Sequence, residues 1–363
     1  MFRVLLLPLL QIPSGHQHVA DSIMAHLEKT PNMYCEKIEL LSHCYGTMEQ
    51  FISSIYLQTI NKIPKLYSSI YRLTAEDNVG KQKFRIYEWF FLKKMLRIIH
   101  EKNPDLIICT HSFPSYLLNQ LKEKKQWHGK AINIYTDYFI NNHWGISAID
   151  YHFVPCPELK QLLIQHGIKE ENIFVTGIPV HPQLMQKKNI TNHSLPIVLI
   201  TGGSMGTGGI KKLLQKLQPR GKLRYKVLCG KNKHLFHFVV AMNHPLIEPL
   251  SYISSKEEIN SLYDEATCIL TKPGGVTVSE CLRKKVPIII YEALPGQEEF
   301  NLHYLKRKNL VYHLADWKTL TNIEDTLLKI ITLQQNKLIQ RYNLFQQHLE
   351  TMEINDLIQQ IIS

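Results

Sequence analysis

The sequence predicts an α/β protein built from two doubly wound domains. Three observations lead there. The chain has 363 residues, enough for two domains of ordinary size. Short apolar runs alternate with helical patterns, as βαβ units and parallel sheets require. A polar stretch at 180–194, with His181-Pro182, Lys187-Lys188-Asn189 and Thr191-Asn192-His193-Ser194, separates two such series. The division is placed near residue 190, giving domains 1–190 and 191–363.

Composition bounds the reading further. With 44% hydrophobic and 20% charged residues, the chain is an ordinary globular one. Lys and Arg exceed Asp and Glu by 42 − 31 = 11. Such a surplus suits nucleic acid, acidic lipid head groups or a polyanionic substrate, and does not choose among them. No helix-turn-helix, zinc or RNA-binding motif is present, so no nucleic-acid partner is expected. The first apolar run, Val4 to Leu10, falls far short of the ~20 residues of a membrane span. It also lacks a small-residue cleavage site, so no secretory signal is expected. The cysteines at 35, 44, 109, 156, 229, 268 and 281 form no C-x-x-C pair. An odd, unpatterned set suggests reduced thiols in a cytosolic protein.

Taken in order, residues 2–10 read as a buried strand. Pro13-Ser14-Gly15-His16 follows, then a helix with Val19, Ile23 and Leu27 on one face. His16 thus stands at a strand's carboxyl end, in a first helical turn. Taken alone, such a histidine is most often a surface residue. Residues 51–100 are helical in pattern, and 84–97 mixes aromatics with cations. If that stretch lies in a membrane interface, Trp89, Phe90 and Phe91 insert while Lys93, Lys94 and Arg97 meet anionic head groups. The same pattern equally describes a helix packed on the core with a solvated basic face.

Strands are expected at 105–110, 131–135, 151–155 and 173–179. The first ends in His111-Ser112-Phe113-Pro114 and the second in Thr136-Asp137-Tyr138, with His143-Trp144 beyond. His111, Asp137 and His143 therefore lie near strand ends and are expected to converge with His16. Their spacing is not that of a metal site, because no H-E-x-x-H or short His pair with a carboxylate occurs.

The second domain opens with the strand 195–201 and the loop Gly202-Gly203-Ser204-Met205-Gly206-Thr207-Gly208-Gly209. The Gly-Lys-Ser/Thr ending of a P-loop is absent. Successive backbone N–H groups at Gly202–Gly206 suit a diphosphate cradle. A strand from Tyr225 then runs into the basic turn at Lys231. The most informative stretch is Cys268 to Glu280. It reads as a short strand stopped by Pro273, a Gly274-Gly275 turn free to take positive φ, and a helix start. Thr277 and Glu280 have the spacing of a capping box, and a helix start of this kind suits an anion. The strand 286–291 leads to the polar loop Pro295-Gly296-Gln297-Glu298-Glu299. The tail 325–363 is helical.

Thr271-Lys272-Pro273-Gly274-Gly275-Val276-Thr277-Val278-Ser279-Glu280, with Pro295-Gly296-Gln297-Glu298-Glu299 downstream, resembles the monogalactosyldiacylglycerol synthase and processive diacylglycerol glucosyltransferase family. These are inverting family 28 glycosyltransferases of the GT-B fold, two Rossmann-like domains facing each other over a cleft. Gly15-His16, Thr136-Asp137, His143-Trp144 and Gly177-Ile178-Pro179 extend the resemblance into the first half. Pro13-Ser14 departs from it, where glycines are common.

The resemblance implies transfer of a hexose from a UDP-sugar, UDP-glucose foremost or UDP-galactose, to diacylglycerol or a glycosyldiacylglycerol. It implies that His16 is the base, with Asp137 assisting. Glu280 would bind the ribose, Gln297 and Glu298 the donor sugar, and Tyr252-Ile253 would lie near the uracil. Gly15, Lys231, Gly274, Gly275 and Thr277 join the expected donor site, His143 and Trp144 the acceptor side. The last helix would cross back to the first domain. No Asp-x-Asp occurs, so no metal or other cofactor is expected. The expected location is peripheral, on the cytoplasmic face of the cell membrane. A transferase acting on a soluble or cell-wall-precursor acceptor, and a nucleotide-sugar epimerase, are the alternatives on the same scaffold.

Overall fold

A computed structural model describes residues 1–9, 14–28, 30–40, 85–186 and 194–363, with the backbone alone at 85–90. It divides into two compact units, Met1–Pro179 with His348–Ser363, and Val180–Gln347. The first unit thus ends before the boundary expected near 190, and 187–193 lie outside the described residues. Residues 182–186 pack in the second unit, where Asn260 donates to the Gln186 carbonyl at 2.8 Å.

The first unit holds a parallel sheet of β1 (Phe2–Leu7), β2 (Met33–Lys37), β3 (Leu106–Cys109), β4 (Lys130–Ile134), β5 (Tyr151–Val154) and β6 (Ile173–Val175). Its order is β2-β1-β3-β4-β5-β6. Val4–Leu7 and all of β3 are buried, because parallel strands are covered on both faces. Each buried Leu, Ile or Val contributes roughly 1.5–3 kcal/mol. The helices are α1 (Gly15–Leu27), α2 (Arg85–Lys102), α3 (Ser112–Glu123) and α4 (Pro157–Gln165). In α1, Val19, Ile23 and Leu27 are buried, the face the periodicity marks.

Helix α2 settles one expectation for its described side chains. Phe91, Leu92, Met95, Ile98 and Ile99 are buried in the core. Phe91 meets Phe113 edge-on, with ring centroids 5.0 Å apart. So Phe91 is not available to a membrane. Lys93 and Arg97 are exposed, Lys94 half-buried, and Arg97 pairs with Glu101 at 2.8 Å. The side chains of Trp89 and Phe90 lie outside the described residues, as does the helical pattern at 51–84.

The second unit holds β7 (Ile197–Thr201), β8 (Arg224–Leu228), β9 (Ile247–Leu250), β10 (Cys268–Thr271), β11 (Ile288–Ile290) and β12 (Tyr312–His313), in the order β12-β11-β10-β7-β8-β9. Its helices are α5 (Ile210–Lys216), α6 (Lys233–Met242), α7 (Lys256–Glu265), α8 (Gly275–Lys284), α9 (Gln297–Arg307) and α10 (Ile323–Gln347). The tail is not one helix. It breaks after α10, and α11 (Ile354–Ile362) belongs to the first unit. There the Glu350 amide donates to the Val175 carbonyl at 2.8 Å, and Lys130 donates to that of Ile361.

The sheet orders locate two sites. From β1 the chain goes first to β2 on one side, then to β3 on the other. From β7 it goes to β8 and β9, then returns to β10 on the opposite side. At such switch points adjacent loops part at the strands' carboxyl edge, leaving a crevice.

Candidate active site

At the first switch point stand His16, in the first turn of α1, and Thr110-His111, just beyond β3. The His16 Nδ1 atom lies 2.8 Å from the Thr110 carbonyl and 2.9 Å from Thr136 Oγ1. A carbonyl only accepts, so Nδ1 carries the proton and Nε2 keeps its lone pair. The Thr110 hydroxyl returns a bond to the His16 carbonyl at 3.1 Å. Burial lowers the His16 pKa from its ordinary 6.5, against the opposing pull of the Asp137 charge and the bond to Thr110. The ring is therefore a neutral base at pH 7 with a defined tautomer.

His111 has the opposite arrangement. As N-cap of α3 it accepts the Phe113 amide on Nδ1 at 3.0 Å. Its neutral ring therefore carries the proton on Nε2. Burial, with His16 and His143 close by, holds its pKa well below 6.5. The His16 and His111 rings touch edge-on at 4.5 Å. His143 is exposed. Trp144, expected on the acceptor side, is buried with its ring 4.5 Å from that of Tyr135. That packing makes it a wedge under its loop, not a face for an acceptor. Among the described residues, no three His, Cys, Asp or Glu side chains are grouped as metal ligands.

The second switch point gathers the loops after β7, β8, β10 and β11. In the loop 202–209, Gly206 has φ +57° and an added Cβ would lie 2.0 Å from the Cys229 carbonyl, so only glycine fits. The expected cradle is narrower than the sequence suggests. The Gly203 amide donates to Thr201 Oγ1 at 3.1 Å, and the Gly206 amide to the Gly203 carbonyl at 2.9 Å. Both amides are thus already paired within the chain. Ser204 and Met205 are half-buried. The Lys231 amide donates to the Ser204 carbonyl at 2.9 Å, and its Nζ lies 5.2 Å from the exposed Tyr252 ring. Ile253 is half-buried beside it.

The helix start after β10 also differs from expectation. Helix α8 begins at Gly275 with Gly274 as its N-cap, so Thr277 is already inside it. Gly274 has φ −72° and uses none of its positive-φ freedom. Glu280 closes no capping box. It is buried and accepts the Tyr263 hydroxyl at 2.7 Å. Burial raises the Glu280 pKa, partly offset by Lys256 and the Tyr263 bond. Tyr263, on α7, carried no signal in the sequence, because its partner is one helix away. A carboxylate does close back on a cap one loop later. Glu299 accepts the amide of Gly296, the N-cap of α9, at 3.2 Å. Gln297 and Glu298 open that helix. Lys272, at the end of β10, donates to Thr207 Oγ1 at 3.0 Å and to Glu298 Oε1 at 2.8 Å.

The fold is shared with MurG of Acinetobacter baumannii, at a TM-score of 0.61, 13% identity and coverage of 99% of this chain and 100% of that one. It is shared with S. aureus MnaA, solved with UDP, at a TM-score of 0.60, 12% identity and coverage of 100% and 95%. Two parallel-sheet α/β units, each with its loops gathered at a switch point, place the chain in the GT-B class. Residues 16–180 match the model for monogalactosyldiacylglycerol (MGDG) synthase, and residues 197–361 that for the glycosyltransferase family 28 C-terminal domain. Similar relatives are the uncharacterized glycosyltransferase YkoN of Bacillus subtilis (strain 168), 48% identical over 320 residues (87% of this chain, 85% of that one), and the processive diacylglycerol beta-glucosyltransferase of Bacillus cereus (strain B4264), 28% identical over 315 residues (84% and 80%). The chain belongs to the monogalactosyldiacylglycerol synthase and processive diacylglycerol glucosyltransferase family, and is a glycosyltransferase.

Proposed function

We propose that the protein transfers a hexose, with inversion, from a UDP-sugar to the hydroxyl of diacylglycerol or a glycosyldiacylglycerol, UDP-glucose being the first donor to test. The observation that carries this is the His16 tautomer, with Nδ1 held by Thr110 and Nε2 left as the base. Nε2 takes the hydroxyl proton as the acceptor oxygen bonds to the anomeric carbon and the bond to UDP breaks. The negative charge of Asp137 stabilises the imidazolium that forms. The leaving diphosphate gathers charge, which the amide dipoles at the start of α8 offset without a metal. Glu280 receives the ribose hydroxyls, Gln297 and Glu298 the sugar, and Tyr252 and Ile253 flank the uracil.

The acceptor class follows the family. The exposed cations of α2 offer charge attraction to an anionic membrane surface on the cytoplasmic side. Among the described residues, no helix is long and apolar enough to cross a membrane. A soluble or cell-wall-precursor acceptor is the second reading, favoured by the burial of Phe91 and Trp144. The test is incubation with UDP-glucose or UDP-galactose and diacylglycerol, with and without EDTA, followed by analysis of the lipid extract. A glycolipid formed equally in EDTA is expected. No lipid product from either donor overturns the lipid acceptor, and loss in EDTA restored by a metal overturns the metal-free leaving group.

A further inference from the structure

Lysine ammonium groups are strongly hydrated and seldom buried. The Lys272 side chain is nevertheless only 8% exposed, at the carboxyl end of β10. Its head group bridges two neighbouring loops. It donates to Thr207 Oγ1 in the loop 202–209 and to Glu298 Oε1 at the start of α9. The other oxygen of Glu298 accepts the Leu294 amide at 2.7 Å. The aliphatic stem lies beneath Gly208, where an added Cβ would come within 2.9 Å of Lys272 Cδ at a backbone φ of +96°. Glu292 ties the same loops together a second time by accepting the Gly209 amide. Three loops at one switch point therefore converge on a single buried cation.

We infer that Lys272 is a positioning residue for the donor sugar, which aims the Glu298 carboxylate. This rests on the donor reading above. With one oxygen held by an ammonium and the other by an amide, the Glu298 carboxylate has one orientation. Its remaining lone pairs only accept, so it reads hydroxyl hydrogens on a hexose and contributes little to a nucleotide that lacks the sugar. Lys272 acts through Glu298, so its effect falls on the sugar part of the donor and not on UDP.

Calorimetry with UDP and with UDP-glucose tests this on the full chain. In Lys272→Met, affinity for UDP-glucose is expected to fall by roughly tenfold or more, the scale for breaking a buried charge pair. UDP affinity is expected to stay within about threefold, the ordinary scatter of such effects. Glu298→Gln should show the same selective loss, and the double variant should lose no more than either single one. Lys272→Gln, which keeps an amide donor, is measured beside them, so that one misfolded variant does not decide the outcome. Equal weakening of UDP and UDP-glucose, additive losses, no loss at all, or failure of both Lys272 variants to fold each overturns the inference. A wild-type protein that binds neither UDP, UDP-glucose nor UDP-galactose overturns the donor reading instead, before any variant is made.

Discussion

The carbonyl of Thr110 lies 2.8 Å from His16 Nδ1, and this bond determines which nitrogen of the ring keeps its lone pair. The two residues belong to the loops on either side of the first switch point. The bond forms only when β1 and β3 pair, with Leu7 beside Cys109. The tautomer of His16 is thus set by sheet registration.

Replacing His16 with Ala removes the proton acceptor and leaves the second unit's loops unchanged. Turnover should fall by ~10²–10⁴, the usual range for a lost general base. UDP affinity, measured by calorimetry, should be retained. Near wild-type turnover would take His16 out of the mechanism.

The pH profile carries a sign. A base works when neutral, so kcat/KM falls as pH drops through the His16 pKa. Burial lowers that pKa below 6.5, and the Asp137 charge opposes the shift. The acidic limb should therefore lie below pH 6.5 in the wild type, and Asp137→Asn should move it lower still. An upward shift in this variant would mean that Asp137 does not act on His16 as a charge.

The Tyr263–Glu280 bond should matter to nucleotide binding. Tyr263→Phe leaves the buried Glu280 carboxylate without its 2.7 Å donor. An unmet buried acceptor costs about 1–3 kcal/mol. UDP affinity should weaken in Tyr263→Phe and further in Glu280→Ala. Unchanged UDP binding in both, with lowered thermal stability, would make the pair purely structural.

Membrane attachment should be electrostatic. Lys93 and Arg97 face outward from α2, while Phe91 is held in the core. Each cation near an anionic surface contributes about 1 kcal/mol, and salt screens it. Vesicle binding should rise with the fraction of anionic lipid, fall with ionic strength and drop in the Lys93, Lys94 and Arg97 triple Ala variant. Undiminished sedimentation of that variant would move the contact to another surface. Indifference of the wild type to vesicles at low salt would favour the soluble acceptor.

Much of this was determined by sequence alone. Apolar runs separated by helical patterns specify parallel sheets, because strands covered on both faces must be apolar throughout. Central strands such as β1, β3, β7 and β10 were legible for that reason. The strands that were not legible lie at or next to an edge. β2 reads Met-Tyr-Cys-Glu-Lys, β9 contains Pro249, and β12 has two residues. Edge strands are covered on fewer sides and are free to carry polar residues and proline.

Tertiary structure decided what local pattern left open. Thr277 and Glu280 have the spacing of a cap, yet Glu280 turns to Tyr263 on another helix and the helix starts at Gly275. The aromatic face of α2 fits a membrane or a core equally well, until Phe113 on α3 covers Phe91. His16 was visible as a residue, but its tautomer comes from the Thr110 carbonyl and its lowered pKa from the burial around it. Lys272 was legible only as the second residue of a motif. Its partners, Thr207 and Glu298, come from loops far apart in the chain, and parallel pairing of β7, β10 and β11 sets their ends side by side. Periodicity records which face of an element is apolar. It holds no record of which distant group will meet a given atom, and at this site those meetings set the chemistry.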